Sequence, residues 1–291
     1  MKKIIDNIKK KPVSLDQYIN DCLYKYKSSY YEKDLIFGQR GDFVTSPYIS
    51  SIFGEIIAIF IINYFLKKKI FSFKILEIGA GEGLLAEDII KTISKFKNIK
   101  CQYYIIEKSK KLKKIQKNKL SKLKVKWFES LEDVKIKDCF IVSNELLDAF
   151  AVKHFKKIND VWNEKFVKYD FKKKNLITKY FKITKKNHKI FNFVDKKCNF
   201  IEFSPDIFKF VTGISKVLMN SKNNFFLTID YGYNSELYRN SLQGLMKHKK
   251  VDIFSNQGFV DITYLVNFNL IKSIFKKNKV WNVNISTQSD F

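Results

Sequence analysis

Closely spaced glycines, carboxylates set just after apolar runs, and one short acid-rich stretch are the chemistry-bearing features of this chain. In Lys74–Ile90, KILEIGAGEGLLAEDII, the apolar residues Ile75, Leu76 and Ile78 lead into Gly79, Gly81 and Gly83. A strand, a glycine turn and a helix in that order bring backbone close against a ligand and form the first unit of a nucleotide-type α/β fold. Glu107 ends the next apolar run, QYYIIEKS, and its two oxygens suit a pair of ribose hydroxyls. After the apolar run CFIVS comes Asn144-Glu145-Leu146-Leu147-Asp148-Ala149-Phe150. Ligands of open α/β sheets sit at the carboxyl ends of strands, so these polar groups are candidates for the acceptor side. Each feature also has a plain structural reading: a glycine turn that binds no nucleotide, and Asn144 and Asp148 as caps of a following helix.

The details of the turn narrow the ligand. A dinucleotide fingerprint requires a third glycine where this chain has Leu84, and Glu82 would repel a pyrophosphate at the helix N-terminus. A donor without phosphate fits better, and S-adenosylmethionine is one. Its amino-acid end can lie against Gly79, Ala80, Gly81 and Gly83 while Glu107 takes the ribose. Glu77 either faces the donor's ammonium group or is a solvated strand-end acid; the spacing to Glu107 suits a nicotinamide cofactor equally well. The chain contains no Asn-Pro-Pro-aromatic sequence of the kind used in adenine methylation and no Pro-Cys nucleophile for cytosine methylation. Acidic groups suit a cationic acceptor, and a guanidinium keeps its charge because its pKa lies above ~12.

These groups need elements to hold them. Apolar spacing predicts a helix over 14–27 behind Ser14, and a second over 47–67 that begins with Ser46 and Pro47. Strand and helix then alternate: strand 74–79, helix 83–96, strand 102–107, helix 109–121, strands 124–128 and 139–143. That pattern argues a mostly parallel sheet. Period-two alternation around Asn159–Asp160 predicts a hairpin within a β-rich insertion, followed by a helix over 205–221 and a strand over 225–232. The stretch 233–260 reads as polar loop, Asp261 as the N-cap of the last helix, and the final residues as a strand. Read alone, GDFVTSPYIS, with Gly41, Asp42, Thr45 and Ser46, is a turn and helix cap, and His248 is an ordinary surface or core histidine.

Composition bounds the partners. The 291 residues carry a formal charge of +26, yet the excess is almost all Lys, dispersed among Ile, Asn and Phe as A/T-rich coding would produce. Arg40 and Arg239 are the only arginines, so bidentate phosphate recognition is poorly served and nucleic acid is a disfavoured partner. Cys22, Cys101, Cys139 and Cys198 lie far apart without metal-ligand spacing, so no metal is expected. The basic N-terminus lacks a signal peptide's apolar core, and Ile56–Leu66 is too short to span a bilayer. The expected place is the cytoplasm.

Together, SLDQYINDCLY, SSYYEKDLIFGQRGDFVTSP, LEIGAGEG, SNELLDAFAVKHF, IEFSP, IDYGY and MKHKKVDIFSNQGFVDITYLVNF resemble the MidA-like methyltransferases, in family order and across nearly the whole chain. The resemblance implies an α/β, class I (Rossmann-like) methyltransferase sheet of seven strands with an N-terminal helical cover and a β-rich insertion. It divides the chain at 1–70, 71–150, 151–204 and 205–291. It also implies S-adenosylmethionine as donor and symmetric dimethylation of an arginine on a protein substrate, a complex I subunit being the candidate. The compartment would be the mitochondrial matrix in a eukaryote. By that resemblance Gly41, Thr45 and Ser46 approach the donor's amino-acid end, and Asp42, Asn144, Glu145 and Asp148 line the acceptor side. Tyr48, Ala151 and Val251 depart from the family's usual Glu, Pro and His, and the family continues past Phe291, which reads as truncation. A nucleic-acid methyltransferase and a non-catalytic, donor-binding assembly factor are the alternatives.

Overall fold

The computed structural model describes residues 2–32, 46–183, 190–195 and 197–291. The chain begins with α1 (Lys2–Lys10), β1 (Val13–Ser14), α2 (Leu15–Asn20) with a π-helical end at Asp21–Lys25, α3 (Ser46–Ile49) and α4 (Ile52–Leu66). It continues through β2 (Ser72–Ile78), α5 (Leu84–Ser94), β3 (Lys100–Ile106), α6 (Lys110–Lys119), β4 (Val125–Phe128) and β5 (Cys139–Asn144). The strands β6 (Lys153–Ile158), β7 (Val161–Asp170), β8 (Asn175–Lys182) and β9 (Phe200–Phe203) follow. Last come α7 (Pro205–Met219), β10 (Phe225–Ile229), β11 (Gly232–Tyr233), β12 (Gln243–Met246), β13 (Lys249–Val251), β14 (Asp261–Thr263), β15 (Val266–Asn267) and α8 (Phe268–Lys277).

The chain divides into two compact units. One contains residues 37–146 and 212–230, the other residues 1–36, 147–211 and 231–291. The first is built on a parallel sheet of order β10-β5-β2-β3-β4. Strand β5, an interior strand between β10 and β2, is apolar and buried on both faces, as parallel strands covered by helices must be. The chain leaves β2 toward β3 and β4, then returns to place β5 on the other side of β2. The strand order therefore reverses between β2 and β5, the switch point at which open α/β sheets bind ligands. Helix α4 is apolar nearly all round and buries Ile57, Ile61 and Phe65 with α5 beside it. Phe65 stacks on Phe73 at 4.4 Å between ring centroids, and Phe140 on Phe225 at 5.0 Å. Burying each such ring contributes about 1.5–3 kcal/mol.

The second unit is built on an antiparallel sheet, β1-β7-β6-β9, with β8 on β7. The predicted hairpin closes where expected: Asn159 and Asp160 both have positive φ, as a type I′ turn requires, and Ile158 faces Val161. Helix α1 turns Ile4 and Ile8 inward and Lys3, Lys9 and Lys10 outward, so the basic N-terminus is also amphipathic.

Several expectations are corrected. The parallel sheet has five strands among the described residues, because the chain bends after Ile229 and β11 pairs with β15 in a separate sheet. The stretch 233–260 is not all loop: β12 and β13 form a hairpin whose tip is Lys247 and exposed His248, both at positive φ. Asp261 begins β14 and caps no helix; the cap of α8 is Asn267, whose side chain accepts from the Leu270 N–H at 3.2 Å. The Ser14 hydroxyl donates to Asp16 and leaves α2 without a side-chain cap. The helix expected over 47–67 is broken between α3 and α4, and the final residues form no strand.

Candidate active site

The glycine turn between β2 and α5 holds Gly79, Gly81 and Gly83 all at positive φ. The turn is tied to the end of β3 by the Gly79 N–H, which donates to the Ile106 carbonyl at 3.0 Å. It also meets the segment after β5, since a Cβ on Gly79 would lie 2.7 Å from Leu146 Cδ1. Gly81 is different: among the described residues, its chain neighbours aside, no atom lies within 4 Å of where its Cβ would be, so on that side its backbone is open. Ala80 turns its methyl into the apolar core, which leaves only its backbone for a ligand.

Glu107 stands just past β3. Its Oε1 accepts from the Ser109 N–H at 2.9 Å and its Oε2 from Gln116 Nε2 at 3.1 Å. The two oxygens of a carboxylate offer about four acceptor sites, a geometry suited to a pair of hydroxyl donors. Glu77 is not a solvated strand-end acid: it is buried on β2 and accepts from the Tyr103 hydroxyl at 2.8 Å. Burial pushes its carboxyl up to about 7, offset in part by the Tyr103 hydrogen bond and reinforced by the nearby Glu107 charge. Tyr48 lies close to Glu82; burial first, then that neighbouring carboxylate, raises its hydroxyl.

At the end of β5, Asn144 Nδ2 donates to Glu145 Oε1 at 3.2 Å, while Asn144 Oδ1 is buried without a hydrogen-bond partner among the described residues. Glu145 sits at φ 47°, a left-handed conformation that costs a non-glycine residue about 1–3 kcal/mol and recurs at functional sites. The conformation is held by the Glu145 N–H on the Ile229 carbonyl at 2.8 Å and the Leu146 N–H on Asp230 Oδ2 at 3.1 Å. No helix follows, so the capping role for Asn144 and Asp148 is excluded.

Glu77, Gly79, Ala80, Gly81, Gly83, Glu107, Asn144 and Glu145 thus fall in one unit, around the switch point. Asp148 belongs to the other unit. There its carbonyl accepts from the Tyr264 N–H at 3.3 Å, and Asp261 and Asp148 both raise the Tyr31 hydroxyl, after desolvation, the largest cause. Gly41, Asp42 and Thr45 lie outside the described residues, as does the Ser46 side chain; Ser46 backbone opens α3. Two residues escaped the sequence reading. Asp230 follows an apolar strand just as Asn144 does, and Gln116 is the polar member of the buried stripe Leu112, Gln116 and Leu120 on an otherwise lysine-covered helix. Among the described residues no group of His, Cys, Asp and Glu is placed to hold a metal, and no helix is long and apolar enough to cross a membrane.

Residues 56–287 match the profile of the family described as "Putative S-adenosyl-L-methionine-dependent methyltransferase". The chain belongs to that family. It is 26% identical over 294 residues to the mitochondrial protein arginine methyltransferase NDUFAF7 of Xenopus tropicalis, covering 90% of this chain and 67% of that protein. The human protein of the same name is 26% identical over 288 residues, covering 90% of this chain and 65% of that protein. The chain therefore spans about two thirds of the length of these curated relatives. A Burkholderia thailandensis protein bound to S-adenosyl-homocysteine superposes with a TM-score of 0.81 at 21% identity, over 95% of this chain and 76% of that one. A native structure from the same organism gives 0.77 at 20% identity, over 95% and 75%. These likenesses establish the class I methyltransferase fold. An open glycine backbone and a ribose-competent carboxylate suit the donor that the family's description names.

Proposed function

We propose that this chain methylates an arginine side chain of a protein with S-adenosylmethionine as donor, the acceptor being a respiratory complex I subunit or its bacterial counterpart. The observation that carries the reading is Asn144 Oδ1, buried and unpartnered among the described residues, beside Glu145 at the switch point of a methyltransferase sheet. Such an oxygen costs about 1–3 kcal/mol until a donor group reaches it, and a cationic N–H group is the kind that the neighbouring carboxylate would attract. The names of the curated relatives support arginine as the acceptor. The compartment under this reading is the bacterial cytoplasm or, in a eukaryote, the mitochondrial matrix.

S-adenosylmethionine supplies a methyl group on a positively charged sulfur. The turn Gly79–Gly83 would hold its amino-acid end through backbone, joined by Gly41, Thr45 and Ser46, and Glu107 would hold its ribose. Asp42 and Glu145 would orient the guanidinium through charge-assisted hydrogen bonds, localising its charge so that one nitrogen is a better nucleophile. The same carboxylates would accept the proton that this nitrogen gives up. Mass spectrometry of a candidate subunit after incubation with donor and enzyme tests the reading. Methyl mass on an arginine is the expected result. Donor binding without any methylated subunit would identify a non-catalytic assembly factor instead, and a methylated base with steeply salt-dependent binding would identify a nucleic-acid enzyme.

A further inference from the structure

Gln116 joins the two halves of the donor site. It is fully buried on α6, a helix otherwise covered in lysine. Its Nε2 donates to the Gly81 carbonyl at 2.8 Å and to Glu107 Oε2 at 3.1 Å, while its Oε1 accepts from Trp127 Nε1 at 3.0 Å. An indole N–H can only donate, so the amide has one permitted orientation and both of its protons must face the turn and the acid. The helix also supports the turn sterically: a Cβ on Gly83 would lie 3.6 Å from Gln116 Cγ and 3.3 Å from Leu120 Cδ1. The Ser109 N–H on Glu107 Oε1 completes the clamp, so the carboxylate is held from both oxygens.

We infer that Gln116 is a positioning residue that fixes the ribose carboxylate against the glycine turn, so that the site selects a nucleoside with vicinal hydroxyls joined to an amino-acid tail. This rests on the donor-site reading above. A buried amide is costly to desolvate, and its three hydrogen bonds offset that cost only while turn, acid and indole keep this spacing. Gln116 acts on the ligand through Glu107 and Gly81, the carboxylate and the open backbone that the ligand meets.

The test is calorimetric titration of the full chain with S-adenosylhomocysteine and with its 2′-deoxy analogue. Wild type should discriminate between the two by about tenfold or more, the worth of a hydrogen bond to a charged group. Gln116→Met keeps the length and apolar stem but removes all three bonds. It should weaken S-adenosylhomocysteine about tenfold to hundredfold and compress the discrimination to within about threefold. Trp127→Phe loses only the bond that orients the amide, so it should compress the discrimination less and serves if the Gln116 variant does not fold. Circular dichroism confirms folding of each. Unchanged affinity in folded Gln116→Met, or equal losses for both ligands with the discrimination preserved, overturns the positioning role; for Trp127→Phe an unchanged ratio does the same. Wild type binding neither ligand would instead overturn the donor site, and the inference with it.

Discussion

Replacing Glu77 with glutamine separates the cost of burying a charge from the packing of the strand that carries it. In the folded chain the carboxyl is shielded from water and raised from an ordinary value of 4.5 to about 7, burial being the main cause. The unfolded chain therefore releases its proton first. Between pH 4.5 and about 7 the unfolded state binds fewer protons than the folded one, so this group's contribution to stability falls as pH rises through that window. At about 1.36 kcal/mol per pKa unit the loss amounts to about 3 kcal/mol by pH 8. A glutamine keeps an oxygen for the Tyr103 hydroxyl and cannot ionise. The difference in unfolding free energy, Glu77→Gln minus wild type, should thus increase by about 3 kcal/mol from pH 4.5 to 8. Urea titrations followed by circular dichroism at steps across that range supply it. Taking the difference also cancels His154, whose pKa is lowered by burial and which acts in the opposite sense, removing stability as pH falls below 6.5. Parallel profiles for the two proteins would refute the reasoning, because they would mean that Glu77 titrates alike folded and unfolded.

Gly81→Val should abolish measurable donor binding by calorimetry while the chain remains folded, since the side chain enters open space but costs about 1–2 kcal/mol in a left-handed backbone; equal affinity in both proteins would remove the turn from the donor site. Asn144→Ala deletes the unpartnered oxygen together with the single bond from Nδ2 to Glu145, so unfolding free energy should fall by no more than about 1.5 kcal/mol while methyl transfer in a mass-spectrometric assay drops at least about tenfold. Gly54→Ala is a purely structural prediction: its Cβ would lie 2.5 Å from Asp88 Cβ, where α4 crosses α5, and the forced separation should lower the unfolding free energy by about 1–3 kcal/mol.

What the sequence determined by itself is local. The run Ile75–Ile78 before Gly79, Gly81 and Gly83 specifies strand, turn and helix, because apolar spacing and glycine's access to positive φ act within a few residues. Asn159–Asp160 likewise dictated a hairpin. Glu107 and the Asn144–Asp148 stretch were readable as candidates because each follows an apolar strand. Only the tertiary structure decided which strands are neighbours. The pairing of Glu77 with Val142 across β2 and β5 brings the glycine turn beside Asn144, and no local pattern encodes a contact over such a separation. Burial decided the rest. Glu77 became a shielded acid rather than a solvated one, and Asp261 joined a strand where a cap had been expected. Gln116, one polar residue among lysines, became the buried link between turn and acid. Its meaning depends on the Gly81 carbonyl, Glu107 and Trp127, partners that only the packing of α6 against the sheet brings within hydrogen-bond reach.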